Sequence, residues 1–562
     1  MWMSNRYLME IIGAYQPGIL GLIGYVSDQI GLVDTINQLL SWDERHGKLS
    51  PGHRILAIMM SAMSGRSALW RMDEFFAGQD LAPLFGEGVV ASDFNDDALG
   101  RALDKLAEVD AAKVFSTVAL KAMLAMEIPI QVLHADTTSV SVYGDYTNAD
   151  QDAAFTLAYG YSKAHRPDLK QFLLGLGVSE AGIPVVANVC RGNMSDKTWN
   201  KELLERLDTL LPAEKLKKIL YVADSALITG DNLELLAQKE YTFVSRLPNT
   251  FAVEAEVKEE AWRSDVWHDV GTLALKKGAA EYRLASFHRE IQGHLYRLVV
   301  VHSSQLDKRK RKSTEARLKK DWERLDKEIQ ELAKRRFACQ ADAQTAWLTF
   351  EKEHAKSLYP LKPTIQPLEE QPKRTRKGRP AKDEVPLPPT LVYQLTIDIG
   401  PIDLLQLNLL HQQASTFVLI ANDQTRSDLE LLQEYKGQIS VEQGFSFLKE
   451  PFRLSPIFLK KPERIQSLTY ILVLCLLVGR LLQHELRHAL KEEEQLLVTP
   501  GGRSSDRPTT DHILDMSATI TVVITREEGL IQRHLMEPAL PVRQLFALLK
   551  IPLKIFTGVR GP

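Results

Sequence analysis

Two apolar stretches constrain this chain more than any others: "VLHADTTSV" (132–140) and "ILYVADSA" (219–226). Each reads as a strand, rich in aliphatic and β-branched residues. Each carries one carboxylate, Asp136 or Asp224, directly after its buried run. An unpaired carboxylate inside a core is costly. Two of them at the ends of sheet strands ask for a shared reason, and divalent metal binding is the simplest. Mg²⁺ takes oxygen ligands and needs only a few carboxylates plus substrate phosphate. Two such ions, about 3.5–4 Å apart, clamp the attacking and leaving oxygens of an in-line phosphoryl displacement.

A third acid comes from "YKGQISVEQGFSFLK" (435–449), which reads as a helix. Tyr435, Gln438, Glu442 and Lys449 stand at i, i+3, i+7 and i+14. At about 3.6 residues per turn they form one stripe. Such a stripe is ordinarily apolar and faces a core, so its glutamate is out of place unless the core opens there. For any single acid among the chain's 72, solvation is the simpler account. The order strand-Asp, strand-Asp, helix-Glu singles out these three.

The texture along the chain predicts an α/β protein in five segments. Residues 1–128 are helical, with Ser50 as an N-cap and Pro51 at the first helical position. Residues 129–248 run three meandering strands and then alternate helix with strand, which implies a mixed sheet. Residues 249–415 interrupt that pattern. They hold a strand-rich part, a charged helical arm (306–358), a Pro-rich basic linker (362–389) expected to be extended and unpacked, and returning strands. In the arm, Leu318, Trp322, Leu325, Ile329 and Leu332 follow a 4-3-4-3 seam, which favours a helical hairpin over a long coiled coil. Residues 416–490 carry the glutamate helix, and 491–562 form a mixed tail.

The formal net charge of −3 points to no partner by itself, so a nucleic-acid binder of this kind needs local basic clusters. "DKRKRK" (307–312) and "PKRTRKGRPAK" (372–382) supply them. The three cysteines are scattered, which argues against a zinc site or a disulfide framework and suits a reducing cytosol. The N-terminus makes a poor signal peptide. The apolar run 468–482 is broken by Arg480 and is expected to be a buried core helix, with no membrane association. His134 shares a sheet face with Asp136 by alternation and reads as a satisfied core histidine. Ser195 or Asp196 reads as an N-cap, and His165, Arg166 and Lys170 as a polar turn with phosphate contact as the alternative. Trp262, Trp267 and Trp347 read as packing residues.

The three acids and their surroundings resemble the DDE transposases of the bacterial insertion sequence 4 superfamily. In that superfamily the last acid lies in a pattern Tyr-x2-Arg-x3-Glu-x6-Lys, and Tyr435, Glu442 and Lys449 match it. Gln438 departs from it, standing where relatives carry arginine. "FNDDALGRALDKL" (94–106), "YGYSKAHRPDLKQFLLGL" (159–176), "GNMSDKTW" (192–199) and "YVADSALIT" (221–229) are most similar to the insertion sequence 1634 branch. The resemblance spans about residues 30–490.

The resemblance implies a ribonuclease-H-like (retroviral-integrase-like) catalytic core, split by the 249–415 insertion and preceded by a helical domain that binds DNA ends. It implies metal-dependent cleavage and strand transfer at terminal inverted repeats. Asp136, Asp224 and Glu442 would hold two Mg²⁺ or Mn²⁺ ions, while Tyr435, Gln438 and Lys449 contact DNA. Partners would be double-stranded transposon ends and target DNA, bound by a homodimer in a synaptic complex in the bacterial cytoplasm. A glutamine donates only a neutral hydrogen bond to phosphate, weaker than a charge-assisted one, and Lys436 is the nearest substitute. Two rival expectations follow: a nuclease of the same fold that cleaves without joining, and an inactive copy that binds ends as a repressor.

Overall fold

The computed structural model describes residues 10–43, 48–65, 67–146, 155–163, 165–274, 277–371, 388–449, 457 and 459–560. The chain divides into two compact units, one made of residues 1–246, 290–295 and 421–562, the other of 247–289 and 296–420.

In the first unit five strands lie in the order Pro184–Cys190, Gln171–Ser179, Val132–Ser141, Leu220–Ala223, Thr242–Arg246. The first three pair antiparallel, as a meander should. The last three pair parallel, with helices Asp196–Leu210 and Gly230–Gln238 between successive strands in sequence. Parallel neighbours need such crossovers, so the switch from strand-strand to helix-strand texture in the sequence becomes the switch from antiparallel to parallel pairing. The strand bearing Asp136 is the central one.

One face of this sheet is closed by Asp196–Leu210. Its Trp199 is 1% exposed and lies over Gly175, the residue paired with Thr137. A Cβ at Gly175 would stand 2.2 Å from the indole, so only glycine admits this helix so close to the central strand. Removing the indole leaves a cavity with no side chain to fill it. Trp199→Ala should cost about 3–5 kcal/mol, read as a shift of the main urea transition to lower concentration.

Helix Pro462–Glu492 forms the spine of the first unit. It is long and apolar enough to cross a membrane, but 94% of its most apolar window is buried inside the protein. Arg480 is buried with it, and its guanidinium donates to Gln483 Oε1 at 3.0 Å. Around the spine pack helices Pro51–Met63, Asp96–Ala107 and Ala111–Ala125. Pro51–Met63 begins as its sequence dictates, with Ser50 Oγ accepting from the His53 amide and Pro51 at the first position. Arg464 on the spine donates twice to Asp104, each at 2.7 Å, tying it to Asp96–Ala107. Residues 1–128 are not helical throughout: Glu10–Tyr15 is a strand, paired antiparallel with Val522–Glu527 of the tail.

In the second unit one set of strands lies in the order Thr416–Ala421, His294–Ser303, Glu281–Ile291, His268–Thr272. Its charged arm is a pair of helices, Ser304–Ala333 and Gln340–Glu353. Leu325, Ile329 and Leu332 pack there against Trp347, Phe350, Leu395 and Ile397. Trp322 leaves the expected seam and is 44% exposed. Lys308 to Lys312 are exposed on the first turns of the long helix. The Pro-rich segment is not an unpacked linker throughout: Leu361–Glu370 is a strand, paired antiparallel with Thr390–Ile399. Pro363 and Pro367 are tolerated because this ladder has only two strands, which leaves each with an open side. Residues 372–387, with the whole of the second basic cluster, lie outside the described residues. The Trp262 and Trp267 rings lie with centroids 5.0 Å apart, tilted by 60°, and the Arg283 guanidinium lies over both.

Candidate active site

Ala135 pairs with Ala223 across the parallel ladder. Asp136 is the next residue of its strand and Asp224 the first residue past the end of the other, so the pairing brings the two carboxylates to one place. Beyond Ala223 the chain leaves the sheet. Asp224 caps a short turn by accepting from the Ala226 amide at 3.0 Å. Asp136 accepts from the Thr137 amide at 2.7 Å. Burial pushes the Asp136 carboxyl up to about 6, with Asp224 and Asp196 adding to the rise and Lys163 opposing it. Burial also raises Asp224, again with Asp196 adding and Lys163 opposing. These carboxylates are held together at a cost to their ionised forms.

The predicted glutamate helix is in fact two helices, Asp428–Lys436 and Ile439–Lys449, parted at Gly437 and Gln438. His134 explains the break. Its buried Nε2 meets the Glu434 carbonyl at 2.9 Å, at the end of the first helix. A Cβ on Gly437 would stand 2.7 Å from that Nε2. His134 is a buried core residue held through Nε2, and that contact anchors the helix pair to the central strand. At the other end Lys449 Nζ donates to Thr138 Oγ1 at 2.5 Å. His134, Asp136 and Thr138 alternate onto one face of the strand. The two anchors thus bracket Asp136, and Glu442 lies between them along the helix. Its side chain is exposed. Among the described residues no three Asp, Glu, His or Cys side chains converge closely enough to hold one ion, so the aspartate pair is the assembled part of the site.

Tyr435 and Lys449 both belong to the cluster electrically. Burial raises the Tyr435 phenol, Arg246 opposes this, and Asp224 and Asp136 add to it. Burial lowers the Lys449 ammonium, Lys163 adds to this, and Asp136 opposes it. Gln438 sits at the helix break, where its carbonyl accepts from the Val441 and Glu442 amides at 3.0 and 3.4 Å. Lys436 is lowered by burial first and by Arg246 second.

Three charged side chains of the site belong to no sequence stripe: Lys163, Asp196 and Arg246. Asp196 opens its helix, but the cap is Ser195, whose Oγ accepts from the Thr198 amide at 3.1 Å. The Asp196 carboxylate instead accepts from Thr137 Oγ1 at 2.6 Å and pairs with Lys163 at 3.1 Å. Of the polar turn, Arg166 pairs with Asp168 and Lys170 donates to the Asp145 carbonyl at 2.7 Å, so both are structural. The lysine that reaches the site is Lys163, two residues before the first of the three singled out. Arg246 ends strand Thr242–Arg246, and its positive charge acts on the Tyr435 phenol and the Lys436 ammonium.

Two half-buried, neighbouring carboxylates whose ionisation is penalised form a hard oxygen donor set, and a divalent cation is the ligand that such a set fits. Two family profiles match the chain. A domain of unknown function (DUF4277) covers residues 15–120, and the transposase DDE domain covers residues 128–478. No curated protein matches the chain.

Proposed function

We propose, on the premise that the chain belongs to the transposase DDE domain family, that it cleaves and joins DNA at the terminal inverted repeats of an insertion sequence. A member of this family is a DNA-binding transposase with a ribonuclease-H-like α/β fold, and its relatives generally work with divalent metal ions. The finer reading is our own: an insertion sequence 4 superfamily enzyme, nearest the 1634 branch, acting as a homodimer in a synaptic complex in the cytoplasm. Its helical N-terminal segment would recognise the ends, and residues 249–415 would be an insertion in the catalytic core.

The observation that carries this reading is the placement of Asp136 and Asp224 side by side on parallel strands, with Tyr435 and Lys449 coupled to them. Asp136, Asp224 and Glu442 would hold two Mg²⁺ or Mn²⁺ ions, which when bound supply an activated water or 3′-hydroxyl and stabilise the departing oxygen. Lys449 would bind a DNA phosphate as a point charge, and Tyr435 would orient the strand end beside it. Arg246 would contribute the guanidinium that relatives carry at the position of Gln438. Arg246→Gln should weaken end binding across sequences and lower the salt slope of log K by about one; an unchanged slope would remove Arg246 from the interface.

The test is incubation of the purified chain with Mn²⁺, a labelled transposon-end duplex and a supercoiled plasmid. Joined product supports transposition, and cleavage without joining supports a nuclease. Binding alone supports the second reading, an end-binding repressor, which Gln438 favours.

A further inference from the structure

We infer that Lys163 is a built-in counter-ion for the aspartate pair, pinned by Thr137 and Asp196, and that a divalent cation at the pair competes with it. This rests on the proposed reading of Asp136 and Asp224 as metal ligands. Lys163 is fixed at both ends. Its amide donates to Ser139 Oγ at 2.9 Å. Its ammonium donates to the Thr137 carbonyl at 2.9 Å and Thr137 Oγ1 at 3.0 Å, and pairs with Asp196 Oδ2 at 3.1 Å. These three contacts use all three of its donors. Thr137 Oγ1 spends its own proton on Asp196 at 2.6 Å, so lysine, threonine and aspartate form one closed network directly beside Asp136.

The charge pattern gives the network its purpose. Asp136 feels the negative charge of Asp224 and Asp196, Asp224 feels that of Asp196, and the Lys163 ammonium, held against the Thr137 carbonyl, opposes both. Without a cation, two desolvated carboxylates on adjacent strands repel each other and loosen the strand ends. The ammonium relieves that repulsion from a fixed position. A doubly charged ion placed at the same carboxylates must work against it, because like charges at short range in a partly buried site are weakly screened. The side chains of Lys163 and Asp196 are 31% and 32% exposed, so the pair borders solvent and has room to swing away when an ion arrives.

The experiment measures Mn²⁺ binding to the full-length protein by calorimetry, without DNA, and the melting temperature with and without saturating Mn²⁺. Lys163→Met should bind Mn²⁺ about tenfold more tightly, equivalent to about 1.4 kcal/mol. It should melt lower than wild type without metal and recover more on adding it. Lys163→Arg keeps the charge and should stay near the wild-type affinity. Lys163→Gln repeats the test if the methionine variant folds poorly. Unchanged or weaker Mn²⁺ affinity in folded, charge-removed protein overturns the inference and leaves the metal reading intact. A wild-type protein that binds no Mn²⁺ overturns both.

Discussion

Asp136→Asn will lose strand cleavage by roughly 10²–10³-fold or more and, in metal-free buffer, will melt at a higher temperature than wild type. The two effects share one cause. The Asp136 carboxyl is held at about 6 by burial, against an unfolded value of about 4. The folded chain therefore binds this proton more tightly than the unfolded chain, and the resulting stability is full below about pH 4 and lost as pH rises through 6. Asparagine has no such loss. The stability gap between variant and wild type should open between about pH 4 and 6 and then stay level, at roughly 2–3 kcal/mol near neutrality. Urea titrations at a series of pH values measure it. A gap that is absent, or that opens above pH 7, would mean that burial does not govern this group. Saturating Mn²⁺ should narrow the gap by stabilising the wild type alone. A residue whose removal stabilises the chain but stops its chemistry is kept for function.

Gly437→Ala should lower cleavage by about 10²-fold while leaving the aspartate pair untouched. The backbone at Gly437 is ordinary helix, with φ −60, so the requirement is for space and not for a left-handed turn. The added methyl would stand 2.7 Å from His134 Nε2 and 3.0 Å from the Glu434 carbonyl. His134 is fully enclosed and bonded to that same carbonyl, so it has nowhere to retreat. The helix bearing Glu442 must shift instead, and a displacement near 1 Å is enough for such a loss. His134→Ala combined with Gly437→Ala opens the space and should restore part of the rate. If the single substitution cleaves normally, the His134 anchor does not set the position of Glu442.

Much of the architecture is legible in local pattern. Asp136 and Asp224 stand out because a carboxylate after an apolar strand is expensive, and that expense is visible in a single window of sequence. The register that joins Ala135 to Ala223 is not local, and it sets Asp136, in mid-strand, beside Asp224, just past the end of its own strand. Tyr435 and Lys449 are found by helical spacing, although the helix that justified the spacing is broken at Gly437. The break depends on His134, about 300 residues earlier, which no helical periodicity can register. Lys163 and Asp196 are hidden for a related reason. Each sits in a segment whose local chemistry is satisfied by a turn or a helix start, and only the tertiary fold brings Thr137 between them. Arg246 looks like the polar end of a strand until the fold lets its charge act on Tyr435. The Pro-rich strand Leu361–Glu370 was unreadable in another way, since its composition argues for an open linker and only the facing ladder Thr390–Ile399 makes it a strand.

Glu442 is the exposed member of the proposed centre, and cleavage by Glu442→Ala is the most direct trial of the account. Its binding and its single-turnover cutting of a labelled transposon-end duplex should be measured together in Mn²⁺. The account predicts end binding near the wild-type affinity with cleavage reduced by roughly 10²-fold or more. Cleavage at the wild-type rate would contradict it.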